Sequence, residues 1–274
     1  MQTLTAQEKM GVGITSFLHE NSVDSEHVDI LQGIVTNVFI NSGRFKVLER
    51  EMLEGIFEEL EIQKSEATIM SSEFVEQGKI LGAKYLLLGK VNNATVEEVR
   101  STSSGSIEYV AFANLSLRLV NSETGEIDGS ANINIKPKLL DRMLFSADTP
   151  AGSIQKLSDP LTKKIKEFIG EYLPLEIRVG KMVSEKKGKV QSIYILGGEE
   201  DGMTVGTGIK IYAITMEDVG DGNPIEIKSE IASGKISEMK GKKISVASIK
   251  KGGDRLATNL NNGVELVCKT TNVK

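Results

Sequence analysis

The apolar positions of this chain alternate between helical and strand-like spacing, and the last switch divides it in two. Val12, Ile14 and Phe17 open with the spacing of a strand. After Asn21-Ser22, the residues Val28, Leu31, Ile34, Val35, Val38 and Phe39 recur at helical intervals, and Asn41-Ser42-Gly43 supplies a stop. Phe45, Val47 and Leu48 predict the next strand. Two helices then follow, a glutamate-rich one through Leu53, Ile56, Phe57 and Leu60, and one capped by Ser71 or Ser72 that runs through Phe74, Val75, Ile80 and Leu81 to Gly82.

From Tyr85 the period shortens. Tyr85-Leu86-Leu87-Leu88 is an unbroken apolar run, the mark of a strand covered on both faces, and the strand continues towards Val99. A serine-rich tip at 100–106 turns the chain into a return strand through Val110, Phe112, Leu115, Leu117 and Leu119. Asn121 to Glu126 is a turn, and Ile127, Ile133 and Ile135 mark a third strand. A loop from Lys136 to Pro150 leads to one helix from about Gly152 to Tyr172, with Ile154, Leu157, Leu161, Ile165, Phe168 and Tyr172 on one face.

Beyond Pro174 the spacing is of strand type throughout, with frequent glycine and no long helical pattern. Strands are expected at Ile177–Val179, Val190–Ile195, Ile209–Ile214, Ile225–Ile231, Ile236–Met239, Ile244–Val246 and Val264–Val267. The fold class is therefore an α/β (α+β) N-terminal domain, residues 1–173, with a mixed sheet flanked by helices. A small all-β, barrel-like domain follows at residues 174–274.

Composition narrows the function classes. The 274 residues are 39% hydrophobic and 26% charged, ordinary for a globular protein. A net charge of −5 argues against nucleic acid as a partner, since phosphate binding rests on clustered Lys and Arg. No stretch approaches the ~20 apolar residues of a membrane helix. Cys268 is the single cysteine, so an internal disulfide is ruled out. The short polar start, Met1 to Ala6, fits either a protein that begins there or one whose leader has been removed.

Candidate chemistry is sparse. His19 and His27, the only histidines, lack the same-face spacing of a helical metal motif and read as solvated loop residues. The stretch from Gly197 to Gly208 lacks the ligand register of a calcium loop and the Lys-Ser/Thr ending of a phosphate loop, so it reads as a wide turn. Asp218, Asp221 and Asn223 read as turn chemistry. The basic runs at Glu185–Lys189 and Lys240–Lys243 read as solvated hairpin tips, with an anionic surface or glycan partner as the sharper alternative. No nucleophile elbow is present and no histidine motif flanks Cys268, so no enzyme, cofactor or metal is expected.

Gly43-Arg44-Phe45-Lys46-Val47-Leu48-Glu49-Arg50, Met52-Leu53 and the segment from Leu81-Gly82-Ala83-Lys84-Tyr85 to Gly89-Lys90-Val91 resemble the CsgG-like family of curli production assembly and transport components. The resemblance covers roughly the first 170 residues. The C-terminal part is similar to the small β domain of a periplasmic flagellar assembly protein, through Gly188-Lys189-Val190, Leu196-Gly197, the run Gly202 to Gly206, and Ile209 to Tyr212. Together these imply a bacterial envelope protein, periplasmic or associated with the outer membrane. Its membrane attachment would come only through a lipid anchor absent from this chain. They imply a non-enzymatic assembly or scaffolding role by contact with other envelope proteins, with homo-oligomers possible. An activator of a peptidoglycan synthase and a subunit of an oligomeric secretion channel are the alternatives. The channel is disfavoured by the serine-rich hairpin tip and an aromatic content of only 5%. Exposed sheet edges, or an apolar loop with Leu139, Leu140, Met143, Leu144 and Phe145, are expected to supply the contact.

Overall fold

The computed structural model describes residues 9–48, 76, 79, 82–100, 105–138, 141–218, 220 and 222–271. Apart from the helical Glu76 and Lys79, the two helices expected between Leu53 and Leu81 lie outside the described residues. Among those described, no helix is long and apolar enough to cross a membrane.

Strand β1 (Met10–Ile14) lies between two parallel neighbours, β3 (Phe45–Leu48) and β4 (Tyr85–Arg100). Its return to a parallel partner needs a crossover, and helix α1 (Ser25–Asn41) provides it. Short β2 (Leu18–His19) pairs with β4 at Lys90 and Val91. The chain then turns antiparallel, β4 to β5 (Ile107–Asn121) and β5 to β6 (Ile127–Ile135), giving the order β3-β1-β4-β5-β6. The β5–β6 turn is closed by Gly125 N–H donating to the Asn121 carbonyl and Glu123 N–H donating to the Asn121 side chain.

Burial follows the spacing read from sequence. Leu86, Leu87 and Leu88 are buried in succession, whereas β5 alternates, burying Ala113, Leu115, Leu117 and Leu119. Each such leucine contributes roughly 1.5–3 kcal/mol of burial. α1 buries Val28, Leu31, Ile34, Val35, Val38 and Phe39, and with them His27. His27 is therefore a buried helical residue, four positions before Leu31 on the apolar stripe, and the expectation of a solvated loop fails there. His19 is exposed, in β2.

Two stretches differ from their expected form. The single helix from Gly152 to Tyr172 is two, α3 (Pro150–Gln155) and α4 (Ser158–Tyr172), with Leu157 fully buried between them. Pro160 has no N–H for a carbonyl one turn back, so the chain restarts with this proline in a first turn, where that N–H is not needed. The loop from Lys136 to Pro150 contains a helical turn, α2 (Arg142–Phe145), and a strand, β7 (Ser146–Ala147).

The C-terminal part is a closed antiparallel barrel. Its strands are β8 (Glu176–Lys186), β9 (Lys189–Ile195), β10 (Gly208–Asp218), β11 (Pro224–Gly241), β12 (Ile244–Lys251) and β13 (Glu265–Thr270), in the order β10-β11-β12-β9-β8-β13. β13 closes it by pairing with both β10 and β8. The two strands expected at Ile225–Ile231 and Ile236–Met239 are one, β11, whose register shifts at Ser233/Gly234. A Cβ on Gly234 would lie 2.1 Å from the Ser248 carbonyl oxygen, so only glycine permits the approach of β12 at this bulge. A helix without a long sequence signal, α5 (Gly253–Asn261), contributes fully buried Leu256 to a core of Ile193, Ile195, Ile211, Ala247 and Cys268.

The described residues form two compact units: Lys9–Asn41 with Phe45–Ile165, and Ser42–Arg44 with Lys166–Lys274. In the second, the Arg44 guanidinium is buried and donates from Nη2 to the Leu173 carbonyl at 2.5 Å. Desolvation lowers its pKa to about 10, which leaves it charged at neutral pH. The arginine of the Gly-Arg-Phe motif is thus a structural residue.

Candidate docking surface

Five residues were expected to dock a partner, and the structure describes the side chains of two. Leu139 and Leu140 lie outside the described residues, and Met143 is described only as backbone of α2. Leu144 is 74% exposed, and Phe145 beside it is half-buried.

The turn carrying them is held from both ends. Upstream, Arg142 Nη1 pairs with Glu97 Oε2 of β4 at 3.3 Å, and its guanidinium lies over the Phe112 ring of β5, 5.5 Å from the centroid. Glu97 and Phe112 share a face because Thr95 pairs with Phe112 and residues two apart on a strand point the same way. Downstream, β7 pairs with β5 through Ser146–Val110 and Ala147–Tyr109, and the Ser146 hydroxyl donates to Glu108 Oε2. The β5–β6 ladder ends at Ala113 and Ile135, so β7 takes up the part of β5 that β6 leaves open. Sequence reasoning missed these anchors. Arg142 inside an apolar loop, and Glu97 on the strand expected to continue towards Val99, were the available signals.

Along the same face of β5 towards its C-terminal end, Phe112 gives way to Asn114, Ser116 and Arg118. Asn92 Nδ2 donates to Asn114 Oδ1 and to Ser116 Oγ at 2.7 Å each, and Asn114 Nδ2 donates to Asn132 Oδ1 at 3.0 Å. These amides tie β4, β5 and β6 together. The surface therefore has a self-satisfied polar stripe at one end and an exposed leucine on a pinned turn at the other.

The remaining candidates do not assemble into a reacting centre. Among the described residues no cluster of three potential metal ligands exists. Burial pushes the Cys268 thiol up to about 12, so the thiolate needed for attack is suppressed at neutral pH. An open depression of about 330 Å³ is lined by Asp29, Gln32, Thr36 and Asn37 with Ile14 and Val47. Its Gln32 is committed to the backbone, accepting from Phe17 N–H and donating to the Thr15 carbonyl. Asp218 acts as expected of a turn residue, its Oδ1 accepting from the N–H groups of Gly220 and Gly222.

Residues 5–138 match the family model of the curli production assembly/transport component CsgG. Over those residues the chain is similar to that family. The match includes the sheet from β1 to β6 and ends before α2, β7 and the barrel, so the turn bearing Leu144 lies beyond it. No curated protein matches in sequence. Solved structures similar in fold include a lipoprotein from Neisseria meningitidis, 17% identical over 46% of this chain and 81% of that one, with a TM-score of 0.35. The LpoB C-terminal domain from Escherichia coli is 16% identical over 46% of this chain and 82% of that one, with a TM-score of 0.33. A PelC dodecamer from Paraburkholderia phytofirmans is 14% identical over 56% of this chain and 88% of that one, with a TM-score of 0.28.

Proposed function

We propose that this protein is a non-enzymatic assembly or scaffolding component of a bacterial cell envelope, acting by contact between folded surfaces. The observation that carries this reading is the CsgG family match over residues 5–138. The Leu144 turn supports it physically. An apolar side chain 74% exposed on a turn pinned at Arg142 and Ser146 is already ordered, so a partner that covers it loses little conformational entropy on binding. A periplasmic or outer-membrane location belongs to the same reading.

The channel alternative is less well supported. β4 and β5, at 16 and 15 residues, exceed the about 9–11 residues of a membrane-spanning strand. Their distal parts carry Glu97, Glu98, Arg100 and Glu108, and no lipid-facing apolar row runs along the described residues. An adaptor fits these strands better.

Crosslinked pull-down from envelope extract tests the reading with the intact chain and a Leu144→Asp variant. Wild type captures a discrete envelope protein and the variant captures at least about tenfold less, with an unchanged melting temperature because Leu144 is exposed. Equal capture by both chains contradicts the docking role of this turn.

A further inference from the structure

The β8–β9 hairpin of the barrel carries chemistry that the reading above does not use. Every residue from Lys181 to Lys189 is exposed, while Val190 directly after them is buried in the barrel core. The hairpin is therefore an arm whose Lys186–Lys189 tip extends past the core, while Met182 and Glu185 pair with the buried residues Ile193 and Val190. Its last pair is Lys186–Lys189, joined by Lys187 and Gly188 with φ of 52° and 73°. Left-handed φ at both central residues is the type I′ turn, in which asparagine is strongly preferred at the first position. Lys187 is the one non-glycine with positive φ among the described residues. The sequence holds a cation where the turn favours an amide.

Other cations converge on this end. β12 runs antiparallel to β9 with Ser248 opposite Ser192, which brings Lys250 and Lys251 alongside the start of β9. α5 begins against the same point, since a Cβ on Gly253 would lie 2.5 Å from the Val190 carbonyl oxygen and 3.5 Å from the Lys189 Cβ, and Arg255 lies in its first turn. Facing these six cations are two carboxylates, Glu185 and Asp254. Among the described residues none of the six sits in an ion pair.

We propose that this cationic end of the barrel docks on the surface of an anionic phospholipid bilayer. Met182 and Val183, 39% and 42% exposed, choose between a bilayer and an acidic protein. Val183 is the extra residue where the β8–β9 register shifts between Met182 and Ser184, so the two apolar side chains sit side by side at a bulge near the cations. An arm sunk to headgroup depth brings these apolar side chains to hydrocarbon while its lysine stems keep their charges among the phosphates. Lysines on flexible stems also suit a diffuse layer of phosphates better than a fixed carboxylate geometry. The chain's net charge of −5 confines this attraction to the patch.

Sedimentation of the full chain with vesicles tests the proposal, using phosphatidylcholine alone and phosphatidylcholine mixed with phosphatidylglycerol. Wild type pellets with the mixed vesicles, leaves them as salt rises, and ignores phosphatidylcholine alone. Lys187→Asn lowers partitioning about fivefold, and adding Lys189→Gln lowers it roughly 25-fold in all. Lys187→Asn leaves the melting temperature unchanged or raised, because asparagine suits the turn, so a folding defect cannot mimic the loss. Met182→Ser lowers partitioning without altering its salt dependence. Partitioning unaffected by these substitutions, equal binding to phosphatidylcholine alone, or tight binding to polyglutamate with none to vesicles each overturns the proposal. None of these results bears on the Leu144 turn, which is tested separately.

Discussion

Individual side chains here are mostly structural even where their chemistry looks reactive, and Cys268 shows why. It pairs with Ile211 and Ile177 across the β13 ladders and is fully buried, so its thiol keeps its proton up to about pH 12 against an ordinary value of 9.0. The unfolded chain releases that proton first. Between those two values the native state binds more protons than the unfolded state, and stability falls by about 1.4 kcal/mol per pH unit from this group alone. Cys268→Ala lacks this component but leaves a small cavity. The stability advantage of wild type over Cys268→Ala, measured by urea unfolding, is therefore expected to shrink as pH rises through the window. A constant difference would show that the thiol is not shielded. The identity of Cys268 was plain in the sequence, but its burial was set by which way β13 faces inside a closed barrel.

Elements divide into those with a long periodic signal and those fixed by their neighbours. α1, β4, β5 and β6 were legible because their apolar positions repeat over many residues, and the family-bearing segments fall on β3 and β4. α5 was not legible. It shows only Leu256 and Leu260 at helical spacing, between Gly252-Gly253 and Asn262-Gly263, and local glycine chemistry reads there as a turn. β11 was read as two strands, and Gly234, which lies between them, is a bend within one strand in the barrel. The turn bearing Leu144 was legible as apolar but not as anchored, since Arg142, Glu97 and Phe112 are far apart in sequence. Arg142→Ala is expected to loosen α2 and β7 by roughly 0.5–1 kcal/mol, a modest figure because the pair is partly exposed. Hydrogen exchange should show the Ser146 and Ala147 amides opening two- to fivefold faster, roughly as that energy dictates, with α1 unaffected. Unchanged exchange would mean that the β7 pairing alone holds the turn.

At the scale of the whole molecule, two compact units each present an exposed feature that their own packing does not need. One offers Leu144 on an anchored turn, and the other a cationic arm around Met182 and Val183. Neither requires a reacting centre, and residues 5–138 match the model of a curli production assembly/transport component. The most direct test of action by surface contact is a photocrosslinking amino acid placed at Leu144 in intact cells, with the same group at exposed Lys163 as the control. The account predicts one discrete, saturable adduct with an envelope protein from position 144 and none from position 163. Identical smears from both positions, or no adduct from either, would contradict it.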